Sequence, residues 1–505
     1  MFLRKKPNKS GVVSIQVIDK SKGQYQVVKT IGSSSHKDEI NRLEIKAHQW
    51  LAEYKGTLCL DFDNAQNQAE ELFERVEAIE PVGADLLLGK IFDEIGFNAI
   101  TSPLFKPLVL SRIIYPTSKL KTTDYWQQSH GREVKVDEVY RYLDKLHEQE
   151  KAQIEKISFE HTQKILGSAM LQMVFYDVTT IYFEAEQEDD FRKTGFSKDG
   201  KAQHPQIVLG LLVSHGGYPL AYDIFEGNKY EGDTMLPLIN AFKEQYGFEQ
   251  ITIIADAGLM SKTNIEELEK KRHHYILGAR IKNESKEIKE KILALKLRDG
   301  QFQTLEKNEH TSLIIHYSEK RAKKDAHNRQ RGLNRLEKLI KAGKLTKSNI
   351  NNRGYNKYLK MEGELDISSN EEKFKQDANW DGLKGYQTNT MLSGEEVISN
   401  YKELWKIEQA FRVSKHDLKV RPVFHRIRRR IEAHICLSFV AHKVYKELGR
   451  QLNEKQMDIS PEKAVDIART IYLIKIQISP NEHFQRVMIL NENHKYLNDH
   501  FDLNP

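Results

Sequence analysis

The rhythm of apolar and polar positions changes three times along the chain. Residues 12–18 and 25–31 alternate around Lys20-Ser21-Lys22-Gly23, which predicts two short strands, and a charged helix follows over 37–54. From about 67 to 166 the apolar positions take helical spacing. Leu86, Leu87, Leu88, Ile91, Phe92 and Ile95 mark one helix, and Leu108, Ile113 and Ile114 a second that Pro116 ends. Val139, Tyr142, Leu143 and Leu146 mark a third. From about 171 short apolar runs replace the helical pattern. Residues 173–178, with 181–183 beyond a turn, 206–214, 218–225, 251–256 and 274–279 read as strands. Helices fall at 234–246 and after Thr263-Asn264-Ile265-Glu266, a candidate capping box. Three strands, helix, strand, helix, strand is a mixed α/β order.

Residues 281–376 interrupt that order with a lysine-rich stretch and weak strands at 302–306 and 311–317. Eleven Lys/Arg and two acids, Asp325 and Glu337, lie between Lys320 and Lys347, so this stretch is either a solvated helical hairpin or a face for the DNA backbone. A helix over about 394–414 follows. The partition is a small basic unit over 1–60, a helical region over 61–168, an α/β core in two parts (169–280 and 377–450) around the 281–376 insertion, and a helical region over 451–505.

Composition narrows the class. The chain has 505 residues, 39% apolar and 30% charged, with a net charge of +6. That mild excess matters less than its distribution. Cys59 and Cys436 stand far apart and build neither a zinc site nor a disulfide framework, which fits a reducing compartment. No apolar run reaches about 18 residues, so no membrane span is expected. The sequence has no P-loop, His-Glu-x-x-His or Gly-x-Ser-x-Gly motif. His273 and His274, adjacent on a strand, would point to opposite faces. His204 reads as a polar core or surface residue.

The chemistry concentrates in three acids. Asp177 ends the apolar run Met173-Val-Phe-Tyr-Asp177, and Asp256 ends Ile251-Thr-Ile-Ile-Ala-Asp256 before Gly258. Glu408 lies on the 394–414 helix, where Tyr401, Trp405, Glu408, Arg412 and Lys415 step by 4, 3, 4 and 3 and would share one face. Tyr401 and Lys415 each stand about 10 Å from Glu408 at roughly 1.5 Å per residue. Leu404, Ile407 and Phe411 form a neighbouring stripe suited to packing on the sheet. From Arg412 to Arg430 there are eight Lys/Arg and one acid, Asp417. Carboxylates among cations suit either divalent metals acting on phosphate esters or a well-paired structural acid.

These residues resemble a known family, the bacterial insertion-sequence DDE transposases with the Tyr-x2-Arg-x3-Glu-x6-Lys motif. Tyr401, Glu408 and Lys415 match the motif, while Leu404 replaces its arginine, whose phosphate contact is either lost or supplied by Lys406 or Arg412. Tyr176-Asp177-Val-Thr-Thr180 and Ala255-Asp256-Ala-Gly258 resemble the two aspartate motifs, and Gly227-Asn228-x4-Asp233 the turn between them. Arg421-Pro422 extends the match. The resemblance implies an RNase H-like mixed-sheet core with an inserted subdomain and an N-terminal, mainly helical DNA-binding region. It implies that Asp177, Asp256 and Glu408 hold two Mg²⁺ ions, with Mn²⁺ as a substitute, and that Tyr401, Lys415, Arg412, Arg421 and Asn228 contact DNA. Partners are then double-stranded DNA, as terminal inverted repeats and target, and a second copy of the chain on DNA. The place is the bacterial cytoplasm at the nucleoid. Trp405 or Tyr401 could stack on a displaced base, although Trp405 reads first as a core aromatic. A decayed DNA-binding copy and a nuclease without strand transfer are the competing functions.

Overall fold

The computed structural model describes residues 1–9, 11–21, 23–55, 70, 72–197, 200–259, 261–345, 351, 354–362, 366–479 and 482–503. Cys59 and Lys347 lie outside them. Two compact units emerge, Met1–Ile79 with Ile474–Arg486, and Glu80–Leu473 with Val487–Pro505.

The smaller unit starts with a strand not expected from sequence, β1 (Phe2–Pro7), which pairs antiparallel with β2 (Val13–Asp19), itself antiparallel to β3 (Gln26–Ser34). Helix Lys37–Tyr54 covers the meander, packing Leu43 and Ala47 on Ile15 and Val17. β4 (Val76–Pro81) joins a second sheet with two late strands, Tyr472–Ser479 and Glu482–Met488. The expectation of an all-helical 451–505 is corrected here. Alternation such as Tyr472-Leu-Ile-Lys-Ile-Gln has the period of a strand.

The larger unit is built on an eight-stranded sheet. Its strands are β5 (Met173–Tyr182), β6 (Gln206–Ser214), β7 (Pro219–Glu226), β8 (Thr252–Ala255), β9 (His274–Ala279), β10 (Phe302–Asn308), β11 (Thr311–Tyr317) and β14 (Leu383–Thr388). Their order across the sheet is β10-β11-β14-β9-β8-β5-β6-β7. A two-stranded hairpin, β12 (Leu359–Glu362) with β13 (Asp366–Ser369), lies apart from it. β5, β6 and β7 form an antiparallel meander, and β8 and β9 then run parallel to β5 on its other side. The chain leaves β5 in one direction and returns on the other, which makes β5/β8 the switch point of the sheet.

Over β5, β6 and β8 both faces of the sheet are covered, so these strands are mostly apolar rather than alternating, unlike the exposed edge strand β10. Val174, Tyr176, Leu212, Ile253 and Tyr275 face helices Met235–Tyr246 and Lys262–Lys270. Ser261, not Thr263, caps the second of these by accepting from the Asn264 N–H at 3.1 Å. Phe175, Leu209, Leu211, Ile254 and Ile276 face the other core, shared with helices Gly83–Ile95, Phe105–Ile114, Val136–Leu166 and Arg428–Glu454. The last runs through the middle, with its residues from Ala433 to Val444 all buried. The helices of 83–166 thus share one core with the sheet.

The insertion divides in two. β10, β11 and β14 extend the core sheet through β14–β9 pairing, so the 281–376 segment is not wholly a separate subdomain. The basic helix Glu319–Lys341 closes a small core of Leu336, Tyr358 and Leu359.

Candidate active site

The β5–β8 ladder fixes the two aspartates relative to each other. Met173 pairs with Thr252, Val174 with Ile253 and Phe175 with Ile254, always 79 residues apart. Asp177 and Asp256 carry the same separation, two residues further on. The paired register ends at Phe175–Ile254, so Asp177 lies further along β5 and Asp256 just past the end of β8, on neighbouring parallel strands. They share the parity of Phe175 and Ile254 and so emerge on the face of the larger core. The β8–β9 offset, continued one residue past Ala255–Leu277, sets Gly278 level with Asp256, and Gly278 itself pairs with Tyr386 on β14. Asp256, Gly278 and Tyr386 thus adjoin one another in a row, with Asp177 on the next strand.

The helical segment carrying Glu408 lies over this row, but not as one helix. Gly394–Lys402 ends at Glu403, Trp405–Arg412 starts afresh, and a π-turn runs from Val413 to Asp417. The single face expected for Tyr401, Trp405, Glu408, Arg412 and Lys415 is broken by these changes of pitch. Tyr401 points inward, buried, and donates its hydroxyl to Asp256 Oδ1 at 3.0 Å. Trp405 is 52% exposed, which corrects its reading as a core aromatic. The stripe of Leu404, Ile407 and Phe411 does face the core.

Gly278 makes the Tyr401 contact geometrically possible. A Cβ there would stand 2.6 Å from Tyr401 Oη and 3.3 Å from Asp256 Oδ1. The Tyr401 ring meets Tyr386 edge-on at 4.9 Å, and Lys384 Nζ sits 4.5 Å over it. Burial, then the charge of Asp256 and the hydrogen bond to it, hold the Tyr401 phenol far above its ordinary range. Lys384 is held below its usual value by burial and by Arg321, while Asp256 and Glu408 pull the other way. Lys384 thus feels both carboxylates. Gly278, Lys384 and Tyr386 were not singled out from sequence. Only Gly278 left a signal, as a glycine inside a strand where another group comes close.

The other candidates are spread around this row. Glu408 and Arg412 are exposed. Lys415 lines a small cavity with Thr179 and Ile181, which follow Asp177 on the same face of β5. Arg421 stacks its guanidinium 4.3 Å over Tyr182 at the end of β5. Asn228 is exposed in the turn after β7, and no hydrogen bond or ion pair among the described residues ties it to the acids. The arginines at 428–430 prove largely structural: Arg429 and Arg430 reach Asp144 at 2.9 and 2.7 Å, and Arg428 reaches Glu432 at 2.9 Å.

A cleft of about 610 Å³ opens beside Asp256 and Tyr401. Arg280, Lys282, Arg321, Arg329, Lys357 and Lys384 line it. Arg329 pairs with Asp381, Lys357 with Asp377, and Arg321 with Asp325. Carboxylate oxygens at the row suit a hard divalent cation. Among the described residues, however, no three His, Cys, Asp or Glu side chains are grouped closely enough to hold one.

Strand order and directions over β5–β9, with one aspartate on β5 and one just past β8, fit an RNase H-like core. Residues 170–443 match the transposase DDE domain family, and the chain belongs to it. Comparison with curated proteins found no match. Among solved structures, a cryo-EM structure of the piggyBac transposase synaptic complex with hairpin DNA resembles it at 8% identity and a TM-score of 0.39, covering 78% of this chain and 80% of that one. Among the described residues no helix is long and apolar enough to cross a membrane.

Proposed function

We propose that the protein is a transposase that cuts DNA at the ends of an insertion element and joins the freed 3′-hydroxyl to target DNA. The observation that supports this reading is the parallel pairing of β5 with β8, which brings the strand bearing Asp177 beside the one that leads into Asp256. Asp177, Asp256 and Glu408 are not grouped closely enough here to hold a cation and would have to draw together to hold two, Mg²⁺ or Mn²⁺, which would supply an activated water and counter charge on the phosphorus. Tyr401 fixes the Asp256 carboxylate through its hydroxyl. Lys415 and Arg421, at the β5 end of the row, suit the phosphates beside the cut, with Arg412 and Asn228 further out. The working form would be a dimer on paired element ends.

The test is cutting and joining by purified protein with Mg²⁺, terminal repeats and a target duplex. Asp177→Asn should abolish both reactions while the protein stays folded. Cutting that persists in Asp177→Asn would refute the assignment, and cutting without linkage of the 3′ end to target DNA would make the protein a nuclease.

A further inference from the structure

Eight of the nine Lys/Arg on the helix Glu319–Lys341 fall into two kinds, the ninth being the exposed Lys341 at its end. Arg321, Lys323 and Arg329 each have a carboxylate: Asp325 at 3.4 Å, Glu319 at 2.8 Å, and Asp381. Lys320, Lys324, Arg331, Arg335 and Lys338 are exposed, and none reaches a carboxylate among the described residues. At 3.6 residues per turn these five fall within an arc of about 60°, with no acid on it, and span about 27 Å of helix. The helix turns Gly332 and Leu336 inward, about 90° and 130° round from the middle of that arc.

A row of unpaired like charges is unfavourable by itself, since neighbours at i,i+3 and i,i+4 repel. Arg321, Lys323 and Arg329 are neutralised by carboxylates, and the five cations on this arc are not. That arrangement is complementary to a polyanion with closely spaced charges. Duplex DNA carries one per about 1.7 Å of axis. An anionic membrane is the poorer fit, because the apolar side of this helix is spent on its own core and leaves nothing to insert.

We propose that this outer face grips the phosphate backbone of double-stranded DNA without regard to sequence. Ammonium and guanidinium contacts to phosphates position a duplex but do not read it. The proposal deepens the transposase reading and rests on its DNA substrate.

The experiment is fluorescence-anisotropy titration of a random-sequence duplex with the full chain across a salt series. Five neutralised phosphates contribute about 4.5 to the slope of log affinity against log salt, or about 500-fold in affinity between roughly 50 and 200 mM. Replacing all five cations by Gln should flatten the slope by about that amount, and each single change by about 0.9. Lys323→Gln, on the same helix but ion-paired, should change it less. Equal effects of Lys323→Gln and Arg331→Gln, or an unchanged slope in the fivefold variant, would overturn the proposal. So would loss of binding to phosphatidylserine vesicles with duplex binding intact. The readout is separate from catalysis: Asp177→Asn should keep the full slope, so failure of the cutting reaction and failure of this surface can be told apart.

Discussion

Gly278 offers the sharpest test of how the site is assembled. An alanine there places its Cβ 2.6 Å from Tyr401 Oη and 3.2 Å from the Ala257 nitrogen. The hydroxyl cannot swing aside, because its ring is buried and wedged against Tyr386. Overpacking of this kind costs about 1–3 kcal/mol. The displaced hydrogen bond to Asp256 adds about 1 kcal/mol, at the low end because that carboxylate is exposed. Tyr401→Phe removes the hydrogen bond without a clash and should cost about 1 kcal/mol. It also removes the atom the new methyl would strike. With Tyr401→Phe already in place, the first contact lies at 3.2 Å, which a small backbone shift relieves. The double variant should therefore lose less than the two single variants together, by about 1 kcal/mol or more. Urea midpoints at unchanged m give the cycle. On the role proposed for Asp256, DNA cutting should fall about tenfold for each 1.4 kcal/mol lost from the transition state. Additive single effects, within about 0.5 kcal/mol, would show that the methyl does not act through Tyr401 and would refute this account.

Two further outcomes are expected. Burial raises the Glu155 carboxyl from its ordinary 4.5 to about 7, against the opposing pull of Lys151. The folded state holds the proton more tightly than the unfolded one, so this contribution is complete below about 4.5 and is lost as pH rises through about 7, at most about 3 kcal/mol. Glu155→Gln keeps an acceptor for the Tyr222 N–H and should be the more stable form at about pH 8 but not at about pH 5. Parallel melting curves at the two pH values would contradict the shift. At Gly227 a Cβ would fall 2.0 Å from the Gln206 carbonyl oxygen and 2.2 Å from that of Lys193, both backbone atoms. Gly227→Ala should cost about 3 kcal/mol or more in urea unfolding, and a loss below about 1 kcal/mol would mean the turn yields more easily than its packing implies.

Strands β5–β9 were readable because a strand covered on both faces is a short, nearly unbroken apolar run. Such a run cannot hide, and Gln206–Ser214 is the plainest case, buried along its whole length. β10 was only faintly visible for the opposite reason: Phe302-Gln-Thr-Leu-Glu-Lys-Asn is an edge strand, mostly exposed and polar. Sequence could name Asp177 and Asp256 but not the adjacency of their strands, since parallel pairing across 79 residues leaves no local mark. The break at Glu403–Leu404 escaped because both halves keep helical spacing, and only the pitch between them changes. Lys384 was hidden in Leu383-Lys-Gly-Tyr386, where a solvated lysine and one lying over Tyr401 look alike.

The splicing of β14 against β9 limits how this chain could be shortened. Cutting out the stretch between β9 and Gly394 would strip a neighbour from the strand that bears Gly278 and remove Tyr386 and Lys384 with it. A trimmed version has to retain the β10–β11 hairpin and β14 as part of the catalytic body. Length can be varied with less harm beyond β11, where the basic helix and the β12–β13 hairpin close on a hydrophobic cluster of their own.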